Sequence, residues 1–316
     1  MLHLRLIVPP DRTERVVATI EKTVGTTHLV VFTGAARNPS GDLVLCDVAR
    51  EAGDELIGGL RELGLDREGA ISVEAVDLSL STRADEAERQ APGEPADAVL
   101  WEQLTDATHE ESTLSVTYLA FLTLATMIAA CGVVLDNAIL IVGAMAVGPE
   151  FGPLAGFSTA VVQRLPRLAL RSLVALVVGF AVAMAVTVLF SLFMTGAGLF
   201  EASMLRGGDR PNTAFIYDPD AFSFVVAVLA GVAGTLSLTS AKSGALVGVA
   251  ISVTTVPAGA NAAVALGYRD YGQAWGSSQQ LLLNLLGIIL AGTLTLFVQK
   301  WLWSLRRRAM RRPAGA

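Results

Sequence analysis

Residues Asn137 to Gly156, NAILIVGAMAVGPEFGPLAG, are apolar enough for the interior of a bilayer and yet contain Pro149, Glu150 and Pro153. Proline has no N–H, so a helix running through this stretch would leave the carbonyls of Met145 and Pro149 without partners. The stretch therefore predicts a membrane helix that breaks or kinks at its prolines. Gly148, Gly152 and Gly156 recur at four-residue spacing, a pattern that lets a second backbone approach closely. An ionised Glu150 at mid-depth would cost roughly 2.5–3.5 kcal/mol on insertion scales. It must face protein or water.

The remainder of the chain supports a membrane setting. Of 316 residues 53% are hydrophobic, and the mean hydropathy is +0.55, which a single water-soluble globule would not show. Charge is divided unevenly: residues 1–112 carry ten Lys/Arg against twenty-two Asp/Glu, whereas residues 113–316 carry thirteen against seven. An acidic soluble part precedes a basic membrane part, and the acidic balance argues against nucleic acid as a partner. The opening residues lack a cationic region followed by an apolar one, so a cleaved signal peptide is not expected. Cys46 and Cys131 fall in different parts, which supports neither a disulfide framework nor a cysteine metal site.

Residues 1–80 alternate between strand and helix patterns. Strands are expected at Leu2–Val8, Thr26–Thr33, Leu43–Ala49 and Ala70–Leu78, and helices at Asp11–Val24 and Glu51–Leu63, with Asn38-Pro39-Ser40-Gly41 as the central turn. The order βαββαβ is that of a ferredoxin-like α+β domain, of a kind that binds small ligands or pairs with copies of itself. His3 and His28 read as structural or surface residues. Residues 81–112 form an acidic linker with breakers at 91–95 and a short amphipathic helix around Val99–Leu104, lying near the membrane surface or serving as a plain connector.

Six spans are expected in residues 113–303, at Leu114–Leu135, Asn137–Val162, Leu168–Thr195, Ala221–Ala241, Gly244–Leu266 and Leu281–Val298, followed by a basic tail at 304–316. Arg164, Arg167, Arg171, Lys242 and the arginines after 305 fall on one side if both termini are cytosolic, which orients the chain in a cytoplasmic membrane.

An offset of 105 residues lays Val142-Gly143 on Val247-Gly248 and brings Pro153 within one residue of Pro257. Two halves of three spans each would insert in opposite senses, giving a 3+3 inverted repeat with broken helices, a plan on which transporters build midplane sites. The candidate pathway residues are Met145, Pro149, Glu150, Pro153, Ser252, Val253, Thr254, Thr255, Pro257 and Asn261. Freed carbonyls, a carboxylate and hydroxyls in that arrangement suit a proton, Na⁺ or the amine of a solute. The alternative is that the prolines and hydroxyls serve packing alone. Asn284 reads equally as an interhelical bond or a ligand contact. No HExxH, CxxC or nucleophile motif is found, so neither enzyme activity nor a metal or cofactor is expected.

Three segments carry a family resemblance: 137–156, with its asparagine, Gly-Ala-Met run and two prolines; 244–259, a Gly-Val-Ala-Ile run ending in proline; and LLLNLLGIILAGTLTLFV at 281–298. They are similar to the bacterial and archaeal domain of unknown function 389 family, also called the uncharacterised hydrophobic domain family. Its members usually carry an apolar residue where this chain has Glu150. The resemblance implies a polytopic membrane protein and no particular activity. The sequence thus reads as a transporter or channel for a small solute or ion in the lipid bilayer, as a homo-oligomer, with a cytosolic regulatory or assembly domain; the alternative is a membrane-anchored ligand sensor or scaffold.

Overall fold

The computed structural model describes residues 1–91, 93, 98–206, 212–217, 220–240 and 254–310. They divide into two compact units, Met1–Gln103 with Thr239–Ala241, and Leu104–Leu238 with the residues from 242 onward.

The first unit begins β1 (Leu2–Val8), α1 (Thr13–Lys22), β2 (Thr26–Arg37), β3 (Ser40–Val48), α2 (Arg50–Glu62), a short α3 (Leu65–Glu68) and β4 (Ala70–Ala75). The strands form one antiparallel sheet in the order β2-β3-β1-β4, the connectivity that the sequence periodicity predicts. Alternation in β1 sends Leu2, Leu4, Leu6 and Val8 to one face, opposite Val48, Cys46 and Val44 of β3. There they are sealed by Val16 and Ile20 of α1 and by Leu56 and Leu60 of α2, and burial of these side chains is the main stabilising term. His3 and His28 both bond to Asp47, at 2.6 and 2.7 Å, which gives them a structural role. The acidic segment from 81 folds as α4 (Thr82–Gln90), capped by the Ser81 hydroxyl, and α5 (Trp101–Glu111). Leu100, in the segment expected to lie near the membrane surface or to serve as a plain connector, packs into the sheet's core.

In the second unit α6 (Val116–Val134) is capped by the Ser115 side chain. Next come α7 (Ala138–Val147), α8 (Phe151–Gln163), α9 (Pro166–Gly196), α10 (Ala202–Arg206), α11 (Ala221–Thr239), α12 (Thr255–Gly267) and α13 (Tyr271–Met310). Asn137 caps α7 through bonds from the N–H groups of Ile139 and Leu140. Asp136, one residue earlier, adopts a left-handed turn with φ 47° and accepts from Thr213 at 2.7 Å and Asn212 at 3.0 Å. It ties the loop after α10 to the start of α7.

Among the described residues four helices, α6, α9, α11 and α13, are long and apolar enough to cross a membrane, and the pair α7 and α8, bent by 51° at the predicted break, makes five if counted as one span. Six spans are not reached among the described residues. The expected fifth span, 244–266, lies outside the described residues up to 253, and what is described is the 13-residue α12. The last helix starts ten residues before the expected Leu281: the Asp270 carboxylate accepts from the Gln273 N–H at its beginning, and one face of its polar first turns, with Ser277 and Gln280, is fully enclosed. Its outer face bears Leu282, Leu286, Leu290 and Leu294, all exposed, an apolar stripe suited to lipid.

Element boundaries recur at the offset read from the sequence. Both α6 and α11 have 19 residues and start 105 apart, α9 and α13 start 105 apart, and α8 and α12 have 13 residues each and start 104 apart. Packing is reciprocal as well: α8 lies against α9 and α13, and α12 lies against α13 and α9.

Candidate functional site

The break between α7 and α8 is built by its sequence. Gly148 makes the last bond of α7, to the Ala144 carbonyl, and Pro149 offers no N–H to Met145. The chain turns, and Pro153 then falls in the first turn of α8, where a missing N–H costs nothing because first-turn amides have no intrahelical partner. Pro257 holds the same place in α12. The free amide ends of α8 and α12, each carrying a partial positive charge, are joined where Thr255 Oγ1 donates to Glu150 Oε1 at 2.6 Å.

Glu150 is 5% exposed, and its Oε2 has no partner among the described residues. Gly148 makes room for it: a Cβ on Gly148 would strike Glu150 Oε2 and come within 2.8 Å of Val256 Cγ2. Similarly, a Cβ on Gly152 would lie 2.7 Å from Glu111 Oε2, and one on Gly156 would lie 2.7 Å from Ser172 Oγ. The three glycines therefore admit polar side chains of the same chain. They do not form one packing ridge, since α7 ends before Gly148 and the bend separates it from the other two.

A cavity of about 380 Å³ reaches this break, lined among others by Glu110, Glu111, Tyr118, Gly148, Pro149 and Gly152. Burial, and secondarily the charge of Glu110, raise the Glu111 carboxyl above its ordinary pKa. The Tyr118 hydroxyl is buried without a partner among the described residues, against Gly179 of α9. Glu150 itself is not part of the cavity wall.

Behind Glu150 a polar seam runs between α12 and α13. Asn284 Nδ2 donates to Thr254 Oγ1 at 2.8 Å, Gln280 Nε2 donates to Asn284 Oδ1 at 3.4 Å, and Asn261 Nδ2 donates to Ser277 Oγ at 2.6 Å. Asn261 and Ser277 stand at the positions that the repeat pairs with Gly156 and Ser172.

Of the residues expected to form a pathway, Glu150, Thr255 and Thr254 are brought together at the junction, with Pro149 on the cavity wall. Asn261 lies further along the seam. Met145, Pro153 and Pro257 are buried in the surrounding helices, and Ser252 and Val253 lie outside the described residues. Sequence reasoning missed Glu111, Tyr118, Ser277 and Gln280. The last two, with Asn284, recur at i, i+3 and i+7, a polar stripe visible once the helix is started at Tyr271. Glu111 and Tyr118 carry no comparable local signal.

Residues 145–290, the part holding the break and the seam, match the family described as Domain of unknown function (DUF389), as the three resembling segments imply. The chain is also similar to an uncharacterized protein of Methanocaldococcus jannaschii, 25% identical over 204 residues that make up 65% of this chain and 61% of that protein. The matched region thus spans less than two thirds of the relative's length. No solved structure matches the chain.

Proposed function

We propose that this member of the DUF389 family is an integral membrane transporter or channel for a small solute or ion, whose pathway passes the junction of α8 and α12. The observation that carries this reading is the Glu150–Thr255 contact: two proline-started half-helices meet at a buried carboxylate with one free oxygen, and a cavity reaches the same break. Secondary transporters place their sites where half-helix ends converge near the midplane. The recurrence of element boundaries and the reciprocal packing support an internal repeat, which is inverted if each half crosses the membrane three times. In this reading the protein resides in the cytoplasmic membrane with both termini cytosolic, works as a homo-oligomer, and uses its ferredoxin-like sheet domain for regulation or assembly. It needs neither a catalytic group nor a nucleic-acid partner.

The test is flux. Purified protein in liposomes should carry a solute or ion current that Glu150→Gln or Pro149→Ala abolishes. An identical leak in wild type, both variants and empty liposomes would end the transport reading.

One observation favours a second reading, a membrane-anchored sensor or scaffold. On the sheet face away from α1 and α2, Val30 and Phe32 are 42% and 49% exposed, beside Leu45 and Leu43 of β3. That apolar strip could receive a ligand. A metabolite that raises the melting temperature of the whole protein, with no flux in liposomes, would favour it.

A further inference from the structure

The seam between α12 and α13 encloses side-chain oxygens that no hydrogen bond closes among the described residues. Because Thr254 pairs with Asn284 and Asn261 with Ser277, the two helices run antiparallel, and Gln280 sits between these contacts. From Thr254 to Asn261 the seam extends ~10 Å at a rise of about 1.5 Å per residue. Glu150, Asn261, Ser277, Gln280 and Asn284 along it are at most 5% exposed. Three of their side-chain oxygens have no partner among the described residues: Glu150 Oε2, Gln280 Oε1 and Asn261 Oδ1. Seams that serve packing alone satisfy their buried polar atoms, because an unmade bond in a dry interior is costly. This one leaves three unsatisfied, all of one kind.

We propose that the seam is a binding file for a small monovalent cation, with Glu150 as its charged station and Gln280 and Asn261 as neutral oxygen stations further along. The proposal rests on the transport reading for its flux and names that reading's substrate class. An anion is disfavoured: among the described residues the seam holds no Lys, Arg or His, and the positive ends of α8 and α12 already face Glu150, while Glu111 lies against Gly152. The charged and titratable groups near Glu150 are Tyr118 on α6 and Glu110 and Glu111 at the end of α5. Arg171 of α9 is engaged by His109 and Thr113; along the seam α12 and α13 contribute hydroxyls and amides, and Lys300, further along α13, is engaged by the Val162 carbonyl and Gln163. The same acceptor oxygens suit an alkali ion or a protonated carrier such as hydronium, and the experiment separates the two.

The full chain is melted in detergent with NaCl, KCl or choline chloride at equal ionic strength over a pH series, for wild type, Glu150→Gln, Gln280→Leu, Asn261→Leu and the control Thr187→Val. Thr187 bonds to Thr126 between α6 and α9, away from the seam. An alkali site predicts that Na⁺ or K⁺ raises the melting temperature over choline. A proton site predicts instead a rise on acidification that wild type shows and Glu150→Gln lacks, with no preference among the salts. Either dependence should vanish in Glu150→Gln, weaken several-fold in the two seam variants and persist in Thr187→Val. Should a seam variant fail to accumulate, equilibrium binding of radiolabelled Na⁺ to wild type and Glu150→Gln supplies the same comparison for the alkali arm. A wild type indifferent to salt and pH, or a Glu150→Gln protein with the wild-type dependence, overturns the proposal. Binding without flux would sink the transport reading and leave the file standing. Flux of a neutral or anionic solute with no cation dependence would do the reverse.

Discussion

Thr255 and Glu150 are 105 residues apart in the chain and joined by a buried 2.6 Å hydrogen bond. The bond closes one oxygen of a buried carboxylate and fixes the start of α12 against the start of α8. Thr255→Val keeps the shape and removes the donor, leaving both carboxylate oxygens unpaired. An unsatisfied buried group costs about 1–3 kcal/mol, more when charged, so this variant should be less stable by at least about 2 kcal/mol. Thr255→Ser should stay near wild type. Unfolding in mixed micelles measures the difference, and equal stability of the Val variant would mean that the contact contributes nothing.

The glycines around the break make a second prediction, with a control built into the same segment. Gly152→Ala would drive Glu111 off the start of α8, and Gly156→Ala would strike Ser112 and Ser172. Overpacking of this kind costs about 1–3 kcal/mol. Gly143, on α7, has open space where a Cβ would go. Gly143→Ala should therefore be neutral or slightly stabilising, as expected for alanine replacing glycine inside a helix. If all three variants unfold alike, the room these glycines provide is not what holds the break together.

Much of this architecture was legible in the sequence, for identifiable reasons. The alternation of Leu2, Leu4, Leu6 and Val8 showed a half-buried strand, and the prolines at 149 and 153 located a break within one or two residues. Hydropathy failed at the last helix because Ser277 and Gln280 look solvated by composition, and only tertiary contact with α12 buries them. The spacing of Gly148, Gly152 and Gly156 was misread because it assumed one continuous helix through the break. Glu111 could not be found at all: its place against Gly152 depends on how α5 meets α8, and no local pattern encodes that meeting.

Asp42 gives a pH prediction for the sheet unit. Its carboxylate accepts from the Thr13 hydroxyl at 2.6 Å and from the Gly34 N–H at 2.7 Å, and these bonds hold its pKa below the usual value. Because the folded pKa is depressed, the associated stability is present above the unfolded carboxylate value, ~3.9, and is lost as pH falls from there through the folded pKa. Asp42→Asn should be less stable at neutral pH and should flatten that part of the acid limb. Circular dichroism melts of wild type and variant across the acid range would show it, and parallel curves would remove Asp42 from the account.

Cys46 offers a probe of whether the sheet unit opens on its own. Its thiol is fully enclosed between β3 and the helices, and burial, with the neighbouring charge of Asp47 adding to it, pushes its pKa up to about 12. The thiolate is the reacting species, so at neutral pH the native thiol has neither access nor ionisation. Labelling of a Cys131→Ala protein by a maleimide should therefore be slow and should accelerate only under conditions that unfold the sheet. The dependence of that rate on denaturant would give the free energy of opening for this unit separately from the helices. Rapid labelling in the absence of denaturant would mean that β3 is exposed far more often than its packing against Leu4 and Leu56 implies, and the first unit could then not serve as a rigid regulatory or assembly domain.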